Sequence, residues 1–237
     1  MNFRYLISIL FILSSLGIFS QKNDKNSLDY NWSLGAGVTN NLIIGDLSSL
    51  NSEKNNPINL GFYFYVNKMI SSKIGFELNI KKLKLRASSN ESFAVLYIPE
   101  NNGLYSEGKT DFGIEINTIF NIFELLKINT TNKKITFKGY LGIGYHTYDS
   151  KLYDLTTNEL LTTPEYFETS LINNGKYKSF YYVTGLGLNY KLSDNLDFEF
   201  RQTLNINKDD NLEGTISDKN NLELFTTSNF GLMYKFY

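Results

Sequence analysis

The 237 residues contain no cysteine, which excludes disulfides, a thiol nucleophile, cysteine-ligated zinc and a lipid-modified amino-terminal cysteine. Histidine and tryptophan occur once each and proline three times. Past the amino terminus no apolar run is long enough to cross a bilayer as a helix, and the mean hydropathy of -0.25 does not flag a helical membrane protein. An excess of either charge is missing as well. With 23 Lys and Arg against 24 Asp and Glu, the formal net charge is -1, and no basic stripe is present to displace counterions from nucleic acid.

The chain is rich in aromatic residues, with 17 Tyr and 18 Phe, a composition that favours strands over helices. Residues 1–20 read as a secretory signal: Arg4 supplies the positive region, 6–18 the apolar region, and Ile18, Phe19 and Ser20 a cleavage tripeptide before Gln21. Residues 21–31 are polar and are expected to form a periplasmic leader, and 32–237 form one domain.

Within that domain the pattern has period two. In 180–190, Phe180, Tyr182, Leu186, Leu188 and Tyr190 share one face, while Tyr181, Gly185, Gly187 and Asn189 share the other. Ser193, Asp194 and Asn195 suit a turn, after which Leu196, Phe198, Phe200, Leu204 and Ile206 alternate with Asp197, Glu199, Arg201, Thr203 and Asn205. The same reading gives strands at 32–39, 58–66, 73–85, 110–122, 134–148 and 222–237, eight in all, with a helical turn at 123–127. The connections alternate long and short, the long ones being 40–57, 87–109, 149–179 and 207–221. Strand glycines fall almost entirely on the polar face, as expected where a narrow lumen crowds the backbone, with Gly139 the exception.

These features predict an all-β, eight-stranded antiparallel up-and-down transmembrane β-barrel, apolar outside and polar inside, with short periplasmic turns and long extracellular loops. The segments Tyr140-Leu141-Gly142-Ile143-Gly144-Tyr145, Gly185-Leu186-Gly187-Leu188-Asn189-Tyr190 and the closing Phe230-Gly231-Leu232-Met233-Tyr234-Lys235-Phe236-Tyr237 resemble the small outer-membrane β-barrel family of Gram-negative bacteria. That family includes the transmembrane part of outer membrane protein A and porin-family barrels. The resemblance implies residence in the cell outer membrane among its lipids, and insertion by the barrel-assembly machinery. It also implies a closing aromatic insertion signal, here Phe236 or Tyr237. A monomer is expected, and no peptidoglycan-binding domain is expected after the barrel.

The inward phase collects Glu77, Glu115, Asp197 and Glu199 with Lys81, Lys138, Arg201 and Lys235. Charges in a narrow lumen are costly unless paired, so the expectation is a plug of ion pairs rather than an open path. An eight-stranded barrel is only just wide enough for side chains to fill. No catalytic residue, cofactor or metal is assigned. His146 has Ser150 and Asp149 close in sequence, but a triad requires spatial placement. Asp209, Asn211, Glu213 and Gly214 match the first half of a calcium loop, yet Asn220 stands where a bidentate Glu is needed. Tyr153, Tyr166 and Phe167 in the 148–177 stretch suit a surface recognition patch for an extracellular ligand. The leading function is therefore non-enzymatic, structural or surface-contact. Its alternatives are a narrow channel for small solutes, a soluble lipocalin-like binder and, last, an outer-membrane hydrolase built on His146.

Overall fold

The computed structural model describes residues 32–44, 58–89, 104–128, 134–154, 157–161, 174–209, 211–212 and 222–236. The signal and leader expectations, Tyr237, Tyr166 and Phe167 lie outside the described residues.

Nine strands and one short helix follow in chain order: β1 (Trp32–Ile44), β2 (Leu60–Met69), β3 (Ile74–Lys82), β4 (Lys84–Ser89), β5 (Leu104–Asn121), α1 (Ile122–Leu125), β6 (Ile135–Asp154), β7 (Gly175–Lys191), β8 (Leu196–Asn207) and β9 (Glu223–Lys235). All pairings are antiparallel. Eight strands form one sheet in the order β3-β2-β1-β9-β8-β7-β6-β5, and the β3–β5 pairing closes it into a barrel. Closure leaves the eight-stranded ring without a free edge.

β4 is the ninth strand and lies outside the ring. It continues β3 past a break at Leu83, and it pairs with the upper part of β5, Lys84 opposite Lys109 and Ser89 opposite Leu104. A bulge between Thr110 and Phe112 on β5 takes up the change of register. The outer side of β4 does not remain bare: the Asn41 side chain donates to the Lys84 carbonyl at 3.3 Å and the Asn59 side chain to the Arg86 carbonyl at 3.5 Å.

The short connections repeat one device. Ile70 N–H donates to the Ile74 carbonyl and Leu192 N–H to the Leu196 carbonyl, at 2.9 and 2.8 Å. In each, a serine hydroxyl, Ser71 or Ser193, accepts from the first N–H of the next strand. The third short connection carries α1, capped by Asn121, whose side chain accepts from Glu124 N–H.

The strands run further than their alternation suggests. Residues 40–44, 87–89, 104–109, 149–154 and 175–179, read from sequence as loop, are strand. These extensions all lie at one end of the barrel, where both faces of a strand carry mixed residues and the apolar alternation that marks a lipid-facing strand is absent.

Over the belt the two faces are sharply different. Phe62 is 65 % exposed on the outside, with Leu60, Ile116, Leu141, Ile143, Phe180 and Leu232 similarly bare, whereas Arg201 inside is 1 % exposed. Inward glycines make room for inward tyrosines. A Cβ on Gly35 would strike the ring of Tyr65, and Gly144, Gly231 and Gly187 stand in the same relation to Tyr181, Tyr63 and Tyr140. Gly37 shows the backbone version, since a Cβ there would meet the Phe230 carbonyl and lie 2.6 Å from Gly231 Cα. Replacing Gly144 by Val is expected to cost about 1–3 kcal/mol of stability, read from the urea midpoint in lipid vesicles. An unchanged midpoint would contradict this packing.

Candidate functional site in the barrel lumen

The inward phase brings the charged residues of five strands together. Arg201 on β8 reaches across the lumen to Glu77 on β3, a bidentate pair with Nη1–Oε1 at 2.6 Å and Nη2–Oε2 at 2.8 Å. The same guanidinium contacts Glu199 Oε1 at 3.1 Å. It lies 3.9 Å from the ring centre of Tyr140 and 5.1 Å from that of Tyr65. Tyr65 donates its hydroxyl to Glu199 Oε2 at 2.9 Å, and the Asn117 amide donates to Glu77 at 3.1 Å and to Glu115 at 3.3 Å. Glu115 also pairs with Lys81 and accepts from Tyr181 Oη and the Asn79 amide. At the end nearest the short turns, Lys235 pairs with Asp197 at 2.8 Å.

Seven of the eight lumen candidates therefore make direct ion pairs. Lys138 does not. Its ammonium group lies 3.8 Å from Met233 Sδ, with no carboxylate at salt-bridge distance among the described residues. Arg201 faces two carboxylates, which leaves one surplus negative charge, and Lys138 lies within electrostatic range of both Glu199 and Glu77. It balances the cluster as a whole. The partners that sequence reasoning did not single out are Tyr65, Tyr140, Tyr181, Asn79 and Asn117, each of which shares the inward phase.

Above this polar layer the lumen turns apolar. Ile43, Leu83, Leu85, Leu152, Val183 and Phe225 form one buried cluster with Leu212, which enters from the connection between β8 and β9 and is fully buried. Leu212 is held at both polar ends of its peptide: its N–H donates to Glu223 at 2.7 Å, and its carbonyl accepts from Ser150 Oγ at 3.0 Å. Asp209 anchors the same segment by accepting from Tyr148 Oη at 2.6 Å and from the Asn207 amide.

His146 is fully buried among the rings of Tyr148, Tyr181 and Phe225, with Nε2 3.2 Å from Asn207 Oδ1. Ser150 is committed to Leu212, and Asp149 lies 3.7 Å from Lys151. The residues of the hydrolase reading are thus not brought together. Of the calcium pattern, Asp209 is committed to the lumen mouth, and Glu213 and Gly214 lie outside the described residues. Among the described residues no group of three or more His, Asp or Glu is placed to hold a metal. Phe236 is exposed and packs on Tyr234 at 5.1 Å, and its N–H bonds to the Trp32 carbonyl where the last strand meets the first.

On the strand extensions, Glu107 faces outward and takes Lys84 and Arg86 at 3.2 Å each and Tyr105 Oη at 3.0 Å. Burial alone would raise the Glu107 carboxyl. The Tyr105 hydrogen bond and the two cations outweigh it and hold the group below the usual carboxylate range. Burial and the neighbouring carboxylate push the Tyr105 phenol up to about 12.

A closed ring with an apolar outer belt and a charged, internally bonded interior defines an integral membrane barrel of the outer-membrane type. The chain has the architecture of the small eight-stranded outer-membrane β-barrels. No family model and no curated protein matches it. Solved structures do, among them Ail, the attachment invasion locus protein of Yersinia pestis, at 13% identity over 88% of this chain and 100% of that one, with a TM-score of 0.46. Neisserial surface protein A matches at 14% identity over 86% and 97%, TM-score 0.46, and a major outer membrane protein of Thermus thermophilus at 10% over 86% and 99%, also 0.46. No residue role is carried from them to this chain.

Removing one member of a buried charge network leaves the others uncompensated. Arg201→Met strands two carboxylates at once and is expected to cost about 3–5 kcal/mol. The Arg201→Met, Glu77→Leu pair should cost less than that single change. A double variant as unstable as the sum of its parts, in urea unfolding from vesicles, would contradict direct coupling.

Proposed function

We propose that the chain is a non-enzymatic barrel of the outer membrane, closed to solutes, whose role is structural or surface contact through the strand extensions and loops at its longer end. The observation that carries this reading is the double filling of the lumen. Ion pairs and tyrosines occupy the middle of the bore, and the Leu212 cluster occupies the end where the strands are longest. Each filling is itself hydrogen-bonded, so an open path requires breaking both.

Surface contact is supported by the outward face of β4, β5 and β6 above the belt. Tyr105 and Tyr153 lie 5.5 Å apart there, and Arg86 lies over Tyr105 at 5.7 Å. Rigid tyrosines give contact area at low entropic cost. The soluble-binder alternative needs an apolar interior beneath a polar exterior, whereas Glu77, Glu115, Glu199 and Arg201 are inside and Phe62, Phe64 and Phe180 are outside.

Planar-bilayer recording of the purified, refolded protein tests closure. The expectation is no single-channel steps for the wild type or for Glu115→Ala. Regular steps in the wild type would favour the narrow channel instead.

A further inference from the structure

The outward face of β8 is apolar at every position but one. It reads Leu196, Phe198, Phe200, Gln202, Leu204 and Ile206, and Lys208 follows the strand, 5.2 Å from the ring centre of Tyr182. At ~3.3 Å per residue and a tilt of ~40°, Gln202 lies about 15 Å inside the level of Lys208, near the middle of the apolar band. The neighbouring strand agrees. Leu186 stands directly opposite Gln202 and is midway between Tyr182 and Tyr190 on the outward face of β7.

Gln202 is exposed, and its carboxamide is only half satisfied. Ser228, its opposite number on β9, donates its hydroxyl to Gln202 Oε1. The amide nitrogen has no acceptor among the described residues. Asn40, next in the same row on β1, differs: its Oδ1 accepts from Asn59 N–H at 2.9 Å, so it is held to its own barrel. Acyl chains offer an amide donor no acceptor, and at this depth there is no water to replace one. The surroundings permit close approach. Thr184 and Thr226 flank Leu204 on either side, and the rings of Phe200 and Phe230, 5.0 Å apart, supply apolar contact just below.

We propose that the outward face of β7, β8 and β9 is an intramembrane interface at which two copies of this chain pair through Gln202. A carboxamide carries both donor and acceptor, and Oε1 keeps a lone pair after Ser228 is served. A second copy inserts in the same direction and sets its own Gln202 at the same depth. A two-fold axis along the membrane normal then makes the two amides donate to each other's carbonyl oxygens. Lipid acceptors lie in the headgroup layer and do not reach this level. The pair stands in place of the monomer expected from the sequence, and the proposal rests on the membrane-barrel reading.

The test uses the full chain with Lys73→Cys, an exposed turn position before β3, on a strand that does not adjoin β8. Donor-labelled and acceptor-labelled chains are refolded together into vesicles at low protein-to-lipid ratio. Energy transfer should exceed random proximity and fall as unlabelled wild type is added. Gln202→Leu should need roughly ten-fold more protein per lipid for the same transfer, whereas Thr118→Leu on the outward face of β5 matches wild type. A short bismaleimide should join Phe200→Cys chains and not Ile116→Cys chains. Wild type without transfer above random proximity, Gln202→Leu associating as wild type, or preferential joining through position 116 would each overturn the interface. Gel mobility of boiled against unboiled protein separates the two readings. A wild type without a heat-dependent shift contradicts the barrel and the interface with it, whereas a shift without association contradicts the interface alone.

Discussion

A ring of only eight strands is just wide enough for side chains to fill, which leaves no room for bulk water, so each charge inside must be answered by another group inside. Arg201 is where that constraint is met. Its two terminal nitrogens and flat face take two carboxylates and two tyrosine rings at once, and its partners Glu77 and Tyr65 come from strands that are not β8's neighbours in the sheet. The network thus ties opposite walls of the barrel, in addition to the edge-to-edge pairing that closes it. Lys138, without a carboxylate at contact distance, completes the balance by proximity to the cluster.

Space in the bore is as constrained as charge. Each of Tyr63, Tyr65, Tyr140 and Tyr181 lies over a glycine, so the lumen is filled by large side chains only because bare backbone faces them. The apolar cluster around Leu212 occupies the other end by a different chemistry. Above the belt the interior no longer needs to be polar, and Leu83, Leu85, Leu152 and Phe225 pack there as in an ordinary core.

The part of this legible in the sequence is the part that touches lipid. From Phe180 to Tyr190 and from Leu196 to Ile206, one side must be apolar and the other must not, so the phase of Glu199 and Arg201 could be read off directly. The upper strands were not legible, because in 149–154 and 104–109 neither face is in the bilayer and no alternation survives. Leu212 left no signal either: one leucine in a polar connection has no period. The departure of Lys138 from the paired set follows from Arg201 engaging two carboxylates, a three-dimensional fact. Tyr65 and Asn117 were placed inward by phase, but their roles as donors depend on which carboxylates reach them across the ring.

The central claim is the inversion itself, lipid outside and charge inside, and the absence of cysteine makes it directly measurable. Single cysteines introduced in turn at positions 180–190 of the refolded protein in vesicles, each carrying a nitroxide, report collision with oxygen in the bilayer and with a water-soluble nickel chelate. The account predicts period-two behaviour: labels at 180, 182, 184, 186, 188 and 190 collide with oxygen, and labels at the odd positions are shielded from both reagents. Even positions that collide instead with the aqueous chelate, or an absence of alternation, would contradict it.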